Sequence, residues 1–449
     1  MRYLPHTDVE VQQMLDCIGV SSMEDLFSGI PENCRLQKPL DLPAALSESE
    51  VMSQLKVLAE QNSKISDWDA FLGGGAYNHF IPTVVDHLVS RSEFYTAYTP
   101  YQPEISQGTL QAIFEFQTMI CQLTGMDVAN ASMYDGASAC AEAVLLTVRA
   151  GKKRRKVLLS EALNPQYRET VATYCRYLDV ELVDIPFQNG VTDQSALAAC
   201  LDDQVASVVV GYPNYFGQVE DIAAIAEMAQ NAGARLVTAV SEPLALALFK
   251  APGEMGADVV VGEGQSFGIP VSYGGPGIGF FAVKKKDMRV LPGRLVGETV
   301  DLEGRRGFVL TLATREQHIR REKATSNICS NQGMCTLMVG IYLALHGKQG
   351  LRQLAEINYA KAAYAKAQIG RLEGYDIAFS GEGFNEFVVI CPEPVADLKR
   401  RLEQDGILAG IALGRDFPSL ERGLLVCVTE QNSREQIDRL VSALAGGEV

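Results

Sequence analysis

Between residues 68 and 310, apolar and polar positions alternate in a way that predicts strands and helices in turn. Short apolar runs rich in β-branched residues are typical of buried strands and lie at 156–160, 180–185, 205–211, 234–240, 257–262 and 277–283. Helical patterns lie between several of these runs, at 165–178, 194–201 and 221–232. This alternation predicts a mainly parallel sheet with helices on both faces.

Two further regions flank this one. Residues 1–67 are polar and helix-patterned, and Pro31, Pro39 and Pro43 divide them into short pieces. Residues 311–449 follow a Gly/Arg-rich stretch and predict long helices at 332–347 and 351–372, and then a mixed sheet with helices. Its elements are expected at 387–391, 396–405, 424–427 and 433–445. We therefore predict a helical segment (1–67), a large α/β domain (68–310), and helices leading into a smaller C-terminal α+β domain (311–449).

The charge and apolar content exclude two classes of partner. Lys and Arg number 39 against 55 Asp and Glu, a net charge of −16 that argues against a nucleic-acid binder. The longest nearly uncharged apolar stretch, 336–346, is too short to span a bilayer, and the N-terminus has no apolar signal core. The ten cysteines are scattered without a Cys-x-x-Cys pair, which is typical of reduced thiols. The sequence predicts a cytoplasmic protein without a structural metal.

A small-residue turn at 134–138 opens a predicted helix at 139–149. The free N–H groups and dipole of a helix N-terminus attract anions, so Gly136, Ala137 and Ser138 are candidates for holding a cofactor phosphate. The alternative is that Asp135 or Ser138 simply caps the helix.

Five segments spread along the chain carry a family resemblance: FLGGGAY (71–77), FYTAYTPYQPEISQG (94–108), LPGRLVGETVD (291–301), GRRGF (304–308) and KATSNI (323–328). In this order they resemble glycine decarboxylase, the P-protein of the glycine cleavage system. The end at Val449, after a small domain, is similar to the alpha subunit (the N-terminal half) of the two-subunit form. The resemblance implies the fold type I of pyridoxal-phosphate enzymes, with a large domain and a smaller C-terminal one.

The resemblance also implies where a cofactor lysine would stand. In the family's catalytic half this lysine follows a strand and precedes an Ile-Pro pair and a glycine-rich turn. Counting back from Ile269 places Gln265 there, and a carboxamide cannot form a Schiff base. Fold type I enzymes place an Asp under the pyridine nitrogen, and Glu242 stands at that position. We therefore expect no catalytic residue in this chain, no covalently bound cofactor, and a vestigial pocket that includes Gly136–Ser138.

By the same resemblance, the chain pairs with a lysine-bearing beta subunit, as α2β2, and that subunit binds pyridoxal phosphate. The pair decarboxylates glycine and transfers the aminomethyl group to the lipoyl group of H-protein. The candidates for side chains contributed to the partner's site are Tyr95, Tyr98, Tyr101, Thr325, Ser326 and Asn327. Each has an alternative: the tyrosines as interface packing, and Thr325 or Ser326 as a helix cap.

Other interpretations remain open. His79 either contacts substrate or is a hydrogen-bonded structural histidine, and Arg305 and Arg306 either bind a carboxylate or form exposed salt bridges. The chain could also be a self-sufficient pyridoxal-phosphate enzyme, such as an aminotransferase, or a purely structural partner. A nucleotide-binding oxidoreductase is disfavoured, because the glycine spacings at 262–268 and 275–279 do not fit the dinucleotide fingerprint.

Overall fold

The computed structural model describes residues 5–36, 38–95, 98–151, 153–328 and 330–447. Its contacts divide the chain into two units, Met1–Ser63 and Lys64–Val449. In the first unit, the helices Asp8–Ile18 and Glu48–Ala59 each begin with a capping box, in which a hydroxyl and a glutamate bond each other's backbone. Everything described below belongs to the second unit. The three-region division made from the sequence stays a prediction.

A seven-stranded sheet forms the centre of the second unit. Its strands are β1 (Val128–Ala129), β2 (Lys156–Ser160), β3 (Glu181–Ile185), β4 (Val205–Gly211), β5 (Arg235–Val240), β6 (Val259–Glu263) and β7 (Gly279–Val283). They lie in the order β1-β7-β6-β5-β4-β2-β3. The pairs from β3 to β6 are parallel, whereas β7 is antiparallel to both β6 and β1.

Helices cover both faces of this sheet. Successive side chains of a strand point to opposite faces, so Val208 and Val209 of β4 belong to different apolar cores. On one face the core includes Phe116 and Ile225, which lie on the helices Gln107–Thr124 and Ile222–Asn231. On the other face it includes much of the helix Gly136–Ala150. Burial on both faces explains why β4 is a mainly apolar run, with Ser207 as its one polar side chain, instead of an alternating one.

A four-stranded sheet forms the smaller C-terminal part. Its strands lie in the order Asp376–Ile377, Glu386–Ile390, Gly423–Cys427 and Ile411–Ala412. The helices Val395–Gln404 and Arg434–Leu444 pack against it in a separate core. The short strand Asp69–Ala70 pairs with Ile407–Leu408, so the chain just before the glycine-rich segment 73–75 is tied to the small domain.

Further α-helices and two hairpins also belong to this unit. The helices are Thr83–Val89, Ser92–Tyr95, Pro165–Cys175, Gln194–Cys200, Gln317–Arg320 and Gly333–Ile369. The last of these is interrupted at Gly347, which has φ 57° and ψ −176°. An antiparallel hairpin joins Leu295–Val300 to Arg306–Thr311. Short strands at Phe187–Gln188 and Val191–Thr192 form a second small hairpin.

The predicted fold class is confirmed: a mainly parallel sheet between helices, with a smaller α+β domain. Each of the six predicted strands is present, with ends that differ by up to two residues. The hairpin at 295–311 was missed. Within the described ranges, no helix is both long and apolar enough to cross a membrane. The same residues contain no group of three or more His, Cys, Asp or Glu side chains placed to hold a metal ion.

Candidate functional site

Gln265 follows the carboxyl end of β6, and both the oxygen and the nitrogen of its carboxamide form hydrogen bonds to backbone groups. Its Oε1 accepts a hydrogen bond from the Tyr77 N–H at 2.9 Å. Its Nε2 donates to the carbonyls of Tyr77 at 3.1 Å and Ile269 at 2.6 Å. The carboxamide therefore joins the turn after β6 to the segment 73–77, and it is buried. No part of it is a nucleophile.

Glu242 follows the carboxyl end of β5 and takes part in a buried ionic network. Its Oε2 lies 2.9 Å from His79 Nε2, and the other ring nitrogen of His79 lies 2.8 Å from Glu430 Oε2. Asn385 Nδ2 also donates to Glu242, at 3.3 Å. Burial alone would lower the pKa of His79, but the two carboxylates outweigh it and raise that pKa to about 10. Burial opposes the ionisation of Glu430, yet bonding to His79 lowers its pKa to about 2. His79 is thus a charged bridge between two glutamates.

Glu386, from the small domain, holds the glycine-rich segment from the other side. Its carboxylate accepts from the Gly74 N–H at 2.6 Å and from the Tyr77 hydroxyl at 2.9 Å. Burial raises the pKa of Glu386 to about 7, against the lowering effect of these two bonds. Gly74 and Gly75 have φ of 73° and 119°, values that side chains other than glycine rarely adopt. The segment therefore needs its glycines to make this close approach.

A cavity of about 720 Å³ opens beside these groups. It lies at the carboxyl edge of the sheet, where α/β folds commonly bind ligands. Its wall includes Gly74, Asn164, Gln265 and Gly275, and Lys399 and Arg415 from the small domain. Arg415 is largely exposed and pairs with Asp416 at 3.1 Å. The cavity is the place where a fold of this kind would hold a cofactor.

The helix Gly136–Ala150 begins at this cavity. Asp135 caps it: Asp135 Oδ1 accepts from the Ser138 N–H at 2.7 Å, and the Ser138 hydroxyl lies within 3.3 Å of the Asp135 nitrogen. The Gly136 N–H donates to Glu263 Oε2 at 2.9 Å. The helix N-terminus therefore carries both a cap and a bound carboxylate, and each comes from the chain itself.

The three tyrosines lie on the surface, away from the cavity wall. Tyr95 ends a short helix, and the side chains of Tyr95, Tyr98 and Tyr101 are 69%, 88% and 61% exposed. Tyr101 is held by Arg294, whose Nη2 donates to the phenol oxygen at 3.0 Å and whose guanidinium carbon lies 5.2 Å from the ring centre. Thr96 and Ala97, from the same sequence motif, lie outside the described residues.

The 325–327 segment divides between the interior and the surface. The Ser326 hydroxyl donates to Glu142 Oε1 at 2.7 Å and accepts from the Ile328 N–H at 3.1 Å. Thr325 is half-buried and Asn327 is exposed. Tyr98 shares the lining of a small crevice with Asn331, a few residues further on. Ser326 is therefore bonded to the helix Gly136–Ala150, and of the three residues only Asn327 is exposed.

The remaining basic candidates are engaged in surface ion pairs. Arg305 pairs with Asp301 at 2.8 Å and Glu303 at 3.0 Å, and Arg306 pairs with Glu298 at 2.8 Å. These contacts belong to the hairpin Leu295–Val300 and Arg306–Thr311 and its turn.

Comparison with known proteins identifies the family. The family model for the glycine cleavage system P-protein matches residues 1–444. A protein of Geobacillus kaustophilus named probable glycine dehydrogenase (decarboxylating) subunit 1 is 54% identical over 446 residues, which cover 99% of each chain. This chain belongs to the glycine cleavage system P-protein family. A similarly named protein of Desulforamulus reducens is 52% identical over 99% of both chains.

Solved structures agree with this assignment. A crystal structure of a glycine decarboxylase (P-protein) of the glycine cleavage system, in inhibitor-bound form, superposes with a TM-score of 0.91. It is 44% identical and covers 99% of this chain and 100% of its own. A glutamate decarboxylase of Lactobacillus brevis shares the fold alone, with a TM-score of 0.67 at 15% identity over 94% of this chain and 99% of its own. The fold is fold type I, that of pyridoxal-phosphate enzymes.

The pocket of this P-protein family member does not fit pyridoxal phosphate. Gln265 offers no amine and is bonded to backbone. Glu242 is directed to His79 and Asn385. The helix N-terminus at Gly136, where a phosphate would bind, is already bonded to Glu263. Lys284 and Lys286 lie at the opposite edge of the sheet, where they pair with Asp258.

Sequence reasoning missed three acidic side chains of this P-protein site: Glu263, which lines the cavity, and Glu386 and Glu430, which lie behind its wall. All three come next to apolar runs, at or beside the ends of predicted strands, and a carboxylate in such a place is a usable signal. It was not enough here, because their partners lie 127, 312 and 351 residues away along the chain. Only the fold brings these groups to one edge of the sheet.

Proposed function

We propose that this chain is the non-lysine (alpha) subunit of a two-subunit glycine decarboxylase and works only with a lysine-bearing beta subunit. The observation that carries the proposal is the Gln265 carboxamide, which is bonded to the Tyr77 backbone at the position of the cofactor lysine. Full-length relatives that are 54% and 52% identical carry the name of subunit 1 of glycine dehydrogenase (decarboxylating), which supports the same conclusion.

In this proposal the two subunits divide the work as α2β2. The beta subunit binds pyridoxal phosphate and glycine, and the aminomethyl group left after decarboxylation passes to the lipoyl group of H-protein. The alpha chain supplies part of the wall of that site. Its scattered thiols and acidic composition suit a cytoplasmic enzyme.

The surface phenols support the contributing role. Tyr95 and Tyr98 are 69% and 88% exposed, so their rings are available to a partner chain. Tyrosine combines a large apolar area with one hydrogen-bonding tip, which suits an interface or the rim of a small polar site. We propose that Tyr95, Tyr98 and Tyr101 contribute to the partner's site. Thr325 and Asn327 belong to the same proposed set. Ser326 is the least suited member, because its hydroxyl is used by Glu142 and Ile328.

One observation favours a second candidate function, a self-sufficient pyridoxal-phosphate enzyme. Lys399 is a lysine that lines the cavity. It comes from the helix Val395–Gln404 of the small domain and not from the turn after β6. Incubation with pyridoxal phosphate, borohydride reduction and peptide mapping separates the two functions. We expect no labelled peptide that carries Lys399; a stoichiometric label there would favour the second function.

The direct test of the proposed function is reconstitution. The purified chain is mixed with its lysine-bearing paralogue, and the mass of the complex is measured with glycine-dependent carbon dioxide exchange in the presence of lipoylated H-protein. We expect a stable complex with a large interface and exchange only in the mixture. Full exchange by the lysine-bearing chain alone would contradict the proposal.

A further inference from the structure

The Glu263 carboxylate is surrounded by backbone donors from three separate segments. Oε2 accepts from the Gly136 N–H at 2.9 Å, and Oε1 accepts from the N–H groups of Ile278 at 2.8 Å and Gln265 at 3.1 Å. The side chain is buried, at 7% exposure. Gly136 is the first residue of a helix of fifteen residues, where the helix dipole attracts anions, and Gln265 and Ile278 add N–H donors from the turn after β6 and from the residue before β7. Here the anion they surround is part of the chain.

Two glycines at the wall of the cavity allow the chain to approach this carboxylate and Tyr167 closely. A Cβ at Gly277 would come within 3.1 Å of Glu263 Oε2, so a larger residue there would press on the carboxylate. A Cβ at Gly136 would lie 2.0 Å from the Tyr167 hydroxyl. These two glycines allow the close contact between the helix start, Glu263 and Tyr167. We call the Gly136, Gln265 and Ile278 N–H groups the cradle; all three donate to the Glu263 carboxylate.

We propose that Glu263 is a built-in anion that fills the phosphate cradle of this fold, satisfies its backbone donors and excludes phosphate compounds from the pocket. A free phosphate would compete for the Gly136 N–H and would meet like charge from Glu263 and the helix cap Asp135. This inference goes beyond the proposed function, which requires only that Gln265 cannot hold a cofactor. It assigns Glu263 the structural role that a bound phosphate has in a pocket that holds one.

Removal of the carboxylate should turn the cradle into a phosphate site. Glu263→Ala leaves three backbone donors without their acceptor, so we expect a lower melting temperature than the wild type in chloride buffer. Inorganic phosphate, titrated at constant ionic strength, should then raise that melting temperature by about 2–5 °C through ligand linkage. The wild-type melting temperature should stay constant over the same titration.

Glu220→Ala is the matched control. Glu220 is also a buried carboxylate that accepts from backbone and side chains, at Thr192 and Asn214, but it lies away from the cavity. This variant should melt lower than the wild type without any response to phosphate. Should Glu263→Ala fail to fold, Glu263→Gln keeps the volume and removes the charge, and phosphate should stabilise it more than it stabilises the wild type.

Two results would overturn the proposal. The first is a wild-type chain that phosphate stabilises as much as it stabilises the Glu263 variants, because the cradle would then be open. The second is a folded Glu263 variant whose melting temperature does not respond to phosphate, because the three N–H donors would then have no affinity for phosphate. Neither result bears on reconstitution with the beta subunit, so failure here and failure of the proposed function are distinguishable.

Discussion

The Gln265 side chain and the Tyr77 backbone hold each other through two hydrogen bonds, one in each direction, at 2.9 and 3.1 Å. This reciprocal pair fixes the turn after β6 against the glycine-rich segment 73–77. A lysine at position 265 can donate but cannot accept, so it can replace only one of the two bonds. The residue that we propose to stand in place of the cofactor lysine is thus also one that organises the pocket.

Gln265→Lys should therefore fail to restore catalysis and should destabilise the chain. The Tyr77 N–H loses its acceptor, and an ammonium group is buried where a neutral amide stood, so we expect a lower melting temperature. Glycine decarboxylation by the variant alone should stay at background, because active-site groups act as a unit and Glu242 and Glu263 are unchanged. Gln204→Lys makes the same exchange on the surface and should change neither quantity. Decarboxylation by Gln265→Lys without the beta subunit would show that only the lysine was missing.

His79→Gln should be one of the most destabilising single changes in the pocket. Without the imidazolium, Glu242 and Glu430 remain as buried like charges, and removal of one partner of a buried ion pair costs about 3–5 kcal/mol. The melting temperature checks this against His87→Gln, an exposed histidine in the helix Thr83–Val89 that should have little effect.

The cost of His79→Gln should also depend on pH in a defined direction. The pKa of His79 is raised from 6.5 to about 10, so its contribution is complete below 6.5 and is lost as pH rises through about 10. The pKa of Glu430 is lowered from 4.5 to about 2, so its contribution is complete above 4.5 and is lost as pH falls through about 2. The difference in melting temperature between wild type and variant should be largest between about pH 4.5 and 6.5, should shrink as pH rises above 6.5, and should be smallest above about pH 10. A difference that grows at alkaline pH would contradict the charged bridge.

Glu386 predicts a loss of stability as pH rises through the neutral range. Its pKa is raised from 4.5 to about 7, so the folded state keeps a proton that the unfolded chain releases. Its favourable contribution is complete below 4.5 and is lost as pH rises through about 7, with a slope of up to about 1.4 kcal/mol per pH unit. Glu386→Gln should remove this part of the pH dependence, whereas Glu115→Gln, on the surface, should keep it. If the melting temperatures of the wild type and Glu386→Gln change with pH in the same way between about pH 5 and 8, the prediction is contradicted.

The parts of this molecule that could be predicted from sequence are those that depend on neighbours in the chain. The strands were located because β-branched runs mark segments buried on both faces. Gln265 was located because Ile269-Pro270 and the glycine turn fix the count along the chain. The hairpin 295–311 was missed because its outer half is exposed and polar, so no apolar alternation marks it.

The ionic part of the site could not be predicted, because it depends on long-range contacts. Glu242 comes from the large domain, His79 from the segment 73–80 and Glu430 from the small domain. Nothing in the sequence around each of them shows that the fold brings the three together. The pairing of Glu263 with Gly136 likewise depends on how β6 lies beside the helix Gly136–Ala150. Sequence reasoning considered this helix start as an anion site, but it had no means to predict that the chain supplies the anion.

The last prediction concerns the surface tyrosines and separates a contributor to the partner's site from a scaffold. Tyr95→Phe and Tyr98→Phe remove hydroxyls from side chains that are 69% and 88% exposed, so the melting temperature of the isolated chain should not change. If these phenols line the beta subunit's site, glycine turnover by the reconstituted enzyme should fall about 10-fold or more, equivalent to about 1.4 kcal/mol. Turnover and subunit affinity should be measured together, because a scaffold would lose activity only when association fails.

Tyr101→Phe is expected to behave differently, and this difference sharpens the test. Its phenol oxygen accepts from the buried Arg294, so the change removes an acceptor from a buried guanidinium and should also lower the melting temperature. A loss of turnover in this variant is therefore ambiguous by itself, whereas a loss in Tyr95→Phe or Tyr98→Phe is not. Tyr177→Phe, with a phenol that is 91% exposed elsewhere on the surface, is the control and should keep full turnover. If Tyr95→Phe and Tyr98→Phe both keep full turnover as well, these phenols pack at an interface at most, and the chain is a structural partner of the catalytic subunit.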